Sequence, residues 1–167
     1  MRKSDLFADA MHEALTSGAV VRFRAEGTSM YPTIRDGEVV TIAPIACGEI
    51  VRGDVLMCRH SERFLTHRVV AVNDFTGCDE DRVFHLRGDA KAACDAPVAA
   101  VNVVGRVISV DRNGRVIPMS GRAARLRHRA RATASRARTG FGNWLMLVCV
   151  PVGFSGFEND LVVKRST

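Results

Sequence analysis

Ser29, in the stretch Gly27-Thr28-Ser29-Met30-Tyr31-Pro32-Thr33-Ile34, is the hydroxyl of this chain best surrounded for nucleophilic chemistry. A serine between Thr and Met is most often structural, so its company is what raises it. Pro32 fixes its own φ and stiffens the loop just after the serine. Gly27 lets backbone come close to whatever stands beside it. An alcohol attacks a carbonyl well only when a base takes its proton. Lysine is scarce: Lys3 and Lys164 lie at the ends, Lys91 lies in an Ala-rich loop, and arginine supplies the rest of the 24 basic residues. His67 is the better base. In Leu65-Thr66-His67-Arg68-Val69-Val70 a two-residue alternation puts Leu65, His67 and Val69 on one face. An imidazole there is either buried and hydrogen-bonded or placed for proton transfer, work that an unperturbed midpoint of about 6.5 suits. His12, His60, His85 and His128 have weaker settings: a helix, a turn, another strand and an Arg tract.

A working imidazole also needs an acceptor on its other nitrogen to fix its tautomer. Arg87-Gly88-Asp89-Ala90-Lys91-Ala92-Ala93-Cys94-Asp95 offers two. Asp89 can instead close a turn or pair with Arg87, and Asp95 can simply precede Pro97. The residue pattern leaves both open.

The elements that must hold these groups read as β. From Ala19 to Met119, short runs rich in Val, Ile, Phe and Thr (Val20–Arg24, Glu38–Ile42, Asp54–Cys58, Phe64–Val72 and Arg82–Leu86) are punctuated by glycines. Val103–Val110 and Arg115–Ile117 flank Asn113-Gly114, a hairpin signal. Such spacing predicts a closed or sandwich-like β body over 19–119. Ahead of it, Phe7, Ala10, Met11 and Leu15 recur at helical spacing over 4–16, with Ser4 as N-cap and Gly18 as the stop. The expected fold is therefore mainly β, with an N-terminal helix in 1–18 and a basic, helix-prone C-terminal extension.

That extension carries the charge. The chain of 167 residues has a net charge of +6, and seven arginines with no acidic residue fall within 119–140. The rest is close to neutral, so the high isoelectric point says little about a substrate. Segment 120–140 has one large apolar side chain, Leu126, and no face to bury; it reads as a linker. Without interleaved aromatics for base stacking, nucleic acid is not the expected partner. The tail 141–167 holds the apolar run Trp144–Val152, far short of a bilayer span. It can make a membrane-surface contact through 120–154, or fold back onto the body or a partner chain, which is the more common use of such a segment. The first fifteen residues carry Asp5, Asp9, His12 and Glu13, which argues against a secretory or spanning segment there. Five Cys, odd in number and without a C-x-x-C, suit reduced thiols and a cytoplasmic, at most peripheral-membrane, location. Cys58 and His60 lack paired ligand spacing, so no metal or cofactor is expected.

Several of these stretches resemble the boxes of one family. Gly27-Thr28-Ser29-Met30-Tyr31-Pro32-Thr33 resembles the serine box of type I signal peptidases, and Gly53-Asp54-Val55 their second box. Thr66-His67-Arg68-Val69-Val70 is similar to the next. It has His where bacterial leader peptidases carry Lys, as in the archaeal and endoplasmic-reticulum class. Gly88-Asp89-Ala90 followed by Asp95 resembles that class's closing box, and Val104-Gly105-Arg106-Val107 the strand after it. The likeness spans about residues 20–110, and the boxes occur in order. It implies a signal-peptidase or repressor-peptidase type of β body. It also implies a serine endopeptidase without cofactor: Ser29 attacks, His67 moves the proton, Asp95 orients His67 and Asp89 supports it. The backbone N–H of Ser29 would help hold the oxyanion, and Gly27, Met30 and Pro32 would border the substrate. The family anchors itself in a membrane ahead of the serine box. No such segment is read here, which points to a leader or precursor peptide as substrate. Two other readings of the same fold are a self-cleaving regulator and a non-catalytic module that captures peptides or membrane.

Overall fold

A computed structural model describes residues 3–60, 63–74, 76–121 and 162–164. The Arg-rich linker beyond residue 121 and the apolar run, with the membrane contact expected through them, lie outside the described residues. Helix α1 (Lys3–Thr16) opens the chain, so Ser4 sits in its first turn rather than ahead of it. Its end is a Schellman motif. Gly18 takes φ 86°, the Ala19 N–H donates to Ala14 O at 2.9 Å, and the Gly18 N–H donates to Leu15 O at 3.1 Å. Glycine bears that left-handed conformation without a Cβ clash.

Nine strands follow among the described residues: β1 (Val20–Arg24), β2 (Val39–Ala43), β3 (Val55–His60), β4 (Arg63–Asn73), β5 (Val83–Arg87), β6 (Val98–Ala99), β7 (Val103–Arg112), β8 (Arg115–Pro118) and β9 (Val162–Lys164). They form one antiparallel sheet in the order β6-β5-β4-β3-β7-β2-β1-β9, with β8 paired to β7. The chain is thus mainly β with a short N-terminal helix. The alternating runs of the sequence become β1 to β5 and β7 to β8. Strand β6, two residues long and directly after Pro97, and strand β9, three residues long, are too short to register as runs.

Strand β3 divides the interior. Val55 and Met57 point into a first core with Met11 and Leu15 of α1, Val21 and Phe23 of β1, and Val107 and Val110 of β7. Leu56 and Cys58 point the other way, into a second core with Val69 of β4, Phe84 and Leu86 of β5, and Val98 of β6. Successive side chains on a strand face opposite sides, so an unbroken apolar run marks a strand covered on both. The sheet bends where β7 leaves β2 for β3. Arg106 is paired with both Ala43 and Leu56, and the register shifts on each side. Gly105 makes the approach possible. A Cβ there would lie 2.7 Å from Ile42 Cγ2 and 2.8 Å from Ala43 O. The β7–β8 turn has Asn113 at φ 54° and Gly114 at φ 80°, both positive as a type I′ hairpin requires.

Candidate active site

The loop between β1 and β2 carries Ser29, and its own hydrogen bonds hold it. At its neck the Ala25 N–H donates to Glu38 O and the Gly37 N–H to Ala25 O, each at 2.8 Å. Above the neck the Gly27 N–H, at φ 88°, donates to Asp36 Oδ1 at 2.7 Å. A tight turn follows, with Tyr31 N–H on Thr28 O at 3.0 Å and Thr33 N–H on Met30 O at 2.8 Å. Met30 and Ile34 are sunk in the first core, at 5% and 3% exposure. Met30 thus anchors the loop in that core. Pro32 is half-buried, and its neighbour Tyr31 stands exposed. From β7, Arg112 donates to Thr33 O at 3.1 Å and pairs with Glu38.

His67 lies on β4 opposite Leu56 and is fully buried, on the face of the second core. Its Nε2 is 2.9 Å from Ser29 Oγ, and its Nδ1 is hydrogen-bonded to Asp95 Oδ2. A carboxylate only accepts, so the Nδ1–H donates to Asp95 and leaves the Nε2 lone pair to the serine hydroxyl. Both ring nitrogens are satisfied, as a buried imidazole requires. The Asp95 N–H donates to Leu86 O at 2.9 Å, which ties the acid to the end of β5. Burial resists ionisation of Asp95. The hydrogen bond and charge of His67, with the charge of Lys91, outweigh it and hold the carboxyl below its ordinary value.

Asp89 does not reach His67. It grips Arg68 as a fork, with Nε to Oδ1 at 2.7 Å and Nη2 to Oδ2 at 2.6 Å, and it also accepts from Thr33 Oγ1. Arg68 Nη1 donates to Gly53 O at 2.8 Å. The Gly53 N–H in turn donates to Val69 O at 2.9 Å, and the Val69 N–H to Asp54 O at 2.8 Å. The nucleophile loop, the turn before β3, the histidine strand and the acid loop are thus fastened by one buried guanidinium. Asp89 serves that clamp; of the two acids, the imidazole is held by Asp95. The pattern misses Arg68 because alternation turns it to the face opposite His67, where an arginine is expected in water. Its side chain is only 8% exposed.

Gly88 is the second residue the pattern misses. A Cβ on it would lie 2.6 Å from Ser29 O and 3.0 Å from His67 Nε2, and the Ala90 N–H donates to Ser29 O at 2.9 Å. The acid loop thus presses directly on the serine, and only a hydrogen fits between. Beneath the site, burial pushes the Cys58 thiol up to about 12, with the Asp95 and Cys47 charges adding to it, so Cys58 is inert as a nucleophile. The assembled groups can pass a proton from an alcohol to an imidazole whose orientation a carboxylate sets. Among the described residues no helix is long and apolar enough to cross a membrane. Comparison of the chain with family models, with curated proteins and with solved structures finds no match.

Proposed function

We propose that this chain is a serine endopeptidase of the signal-peptidase type that cuts a leader or precursor peptide. The single observation that carries the reading is the Ser29 Oγ–His67 Nε2 contact of 2.9 Å backed by Asp95 on Nδ1. Nucleophile, base and orienting acid come from three separate parts of the chain, and each ring nitrogen has the partner that catalysis needs. The reading also rests on the family resemblance of the boxes that hold these residues.

In the proposed reaction, Ser29 Oγ bonds to the scissile carbonyl carbon as its proton passes to His67 Nε2. The negative oxygen is met by the Ser29 N–H, the role that the family resemblance implies for it. Collapse breaks the C–N bond, and Nε2 returns the proton to the leaving amine. Water then attacks the ester carbon as its proton passes to His67 Nε2; collapse breaks the C–Oγ bond, Nε2 returns the proton to Ser29 Oγ, and the new carboxyl end leaves. Asp95 stays ionised throughout and stabilises the imidazolium.

A fluorophosphonate probe tests this. Ser29 Oγ displaces fluoride from phosphorus, and intact-mass analysis reads one adduct. Labelling that disappears in Ser29→Ala and in His67→Ala is the expected result. An unlabelled Ser29 in the folded protein would overturn the hydrolase reading. Chain fragments that depend on Ser29 would assign self-cleavage instead.

A further inference from the structure

The acid of this site has two oxygens, and the mechanism uses one. Asp95 Oδ2 holds His67, while Oδ1 accepts from Lys91 Nζ at 3.2 Å. Lys91 lies four residues before Asp95 on the same loop, with its side chain 42% exposed and that of Asp95 16% exposed. Its stem runs beside Gly88: a Cβ on Gly88 would lie 3.3 Å from Lys91 Cδ and 3.0 Å from His67 Nε2. The cation is thus attached to the carboxylate that orients the base, and its stem lies against the glycine that the base abuts.

We infer that Lys91 is a positioning residue of this site, holding the second oxygen of Asp95 and tempering the charge that Asp95 applies to His67. This deepens the peptidase reading and rests on it. A carboxylate held at one oxygen can turn about its Cβ–Cγ bond; held at both, it keeps Oδ2 on the imidazole. The second effect is electrostatic. On taking the Ser29 proton His67 becomes a cation, which Asp95 favours and Lys91 opposes. The charged and titratable groups that face Asp95 are few: His67 from β4, Cys58 from β3 and Lys91 from its own loop. Cys58, with its thiol held at about 12, stays neutral through the working range. Asp89 and Arg68 neutralise each other in the clamp beside it. Lys91 is therefore the one permanent cation among the described residues that touches Asp95. Ionisation of Asp95, favoured by His67 first and Lys91 second, agrees with this arrangement.

The test compares wild type, Lys91→Met, Lys91→Arg and His67→Ala by the rate of Ser29 phosphonylation across the range in which imidazoles titrate. In Lys91→Met the carboxylate loses the opposing cation and holds an imidazolium more strongly, so the acid limb of the profile moves to higher pH. The plateau rate falls about two- to fivefold, because losing the anchor on Oδ1 loosens the orienting carboxylate by more than the stronger field on the imidazole returns. Lys91→Arg restores both, and raised salt moves the wild type toward the Met variant. An Lys91→Met profile that superimposes on wild type, while His67→Ala abolishes labelling, overturns the inference and leaves the peptidase reading standing. A slower rate with the limb unmoved overturns the electrostatic role. Labelling that ignores His67 overturns the peptidase reading, and this inference with it. Melting curves of all four proteins are expected to coincide to within a few degrees, since Lys91 is an exposed loop residue; a collapse in Lys91→Met would make the residue structural and refute the assignment.

Discussion

Gly88→Ala should disable the site while sparing the fold. The added methyl would sit 2.6 Å from Ser29 O and 3.0 Å from His67 Nε2. An ordinary contact at carbon is about 3.5 Å, so the serine backbone or the acid loop must yield by roughly 0.9 Å and the imidazole by roughly 0.5 Å. The Nε2–Oγ contact of 2.9 Å cannot absorb that; at about 3.6 Å it is no longer a hydrogen bond. A misplacement of about 1 Å costs roughly 10²-fold in rate, and complete loss of general base catalysis about 10²–10⁴-fold. The expected fall in Ser29 phosphonylation is therefore near 10²-fold. The stability cost is that of one overpacked methyl, about 1–3 kcal/mol, and the Ala90–Ser29 backbone bond is the part most exposed to it. Stopped-flow labelling gives the rate, and urea unfolding of the same samples gives the stability. A variant labelled at the wild-type rate would refute the claim that a bare Cα at position 88 is what lets base and nucleophile meet.

The two acids should separate cleanly. Asp89→Ala strands Arg68, whose side chain is only 8% exposed, and should cost about 3–5 kcal/mol in urea unfolding. Asp95→Asn should keep the fold and lower the phosphonylation rate by about 10²–10⁴-fold, because the amide can present the wrong partner to Nδ1. The reverse pattern would exchange their roles. Gly105→Ala, at the β7 crossing, should lose about 1–3 kcal/mol by overpacking against Ile42 and Ala43, and unchanged unfolding would refute the close approach. Acid should weaken the protein through Glu38 and Asp95. Burial opposes ionisation of each, but Arg112 at Glu38, and His67 with Lys91 at Asp95, bring both below their ordinary values of 4.5 and 3.8. Carboxyls lowered in the folded state contribute fully above those values and lose the contribution as pH falls below them. Unfolding free energy should therefore decline below about pH 4.5, and Glu38→Gln should flatten the upper part of that decline; an identical slope would count against the pairing. Native-state alkylation at neutral pH should modify the exposed Cys78 and Cys94 and spare Cys58, as peptide mass mapping would read.

Much of this molecule is legible in local pattern. Alternation in Val20–Arg24 and the apolar run Val55–Cys58 are enough to read strands, because side-chain period and burial are set by neighbours one and two residues away. Asn113-Gly114 needs no more than its own dihedral freedom to announce a hairpin. The chemical types of Ser29, His67, Asp89 and Asp95 are likewise open to inspection, as is the scarcity of lysine. Which carboxylate meets the imidazole is not open to local pattern, although the likeness of the Gly88–Asp95 stretch to a family's closing box implies Asp95. Both acids lie on one loop. The choice falls to Asp95 because its N–H is caught by Leu86 O, and because Arg68 claims Asp89 from across the sheet. Arg68 itself sits where alternation expects solvent, and only the folding of the serine loop over that face, with Thr33 and Gly53, buries it. Position 88 shows only a glycine until Ser29 and His67 are both brought against it. Periodicity reports on residues a few bonds apart. The assembly of a hydroxyl, an imidazole and a carboxylate dozens of residues apart depends on which loops cross which strands, and that is a property of the packed sheet.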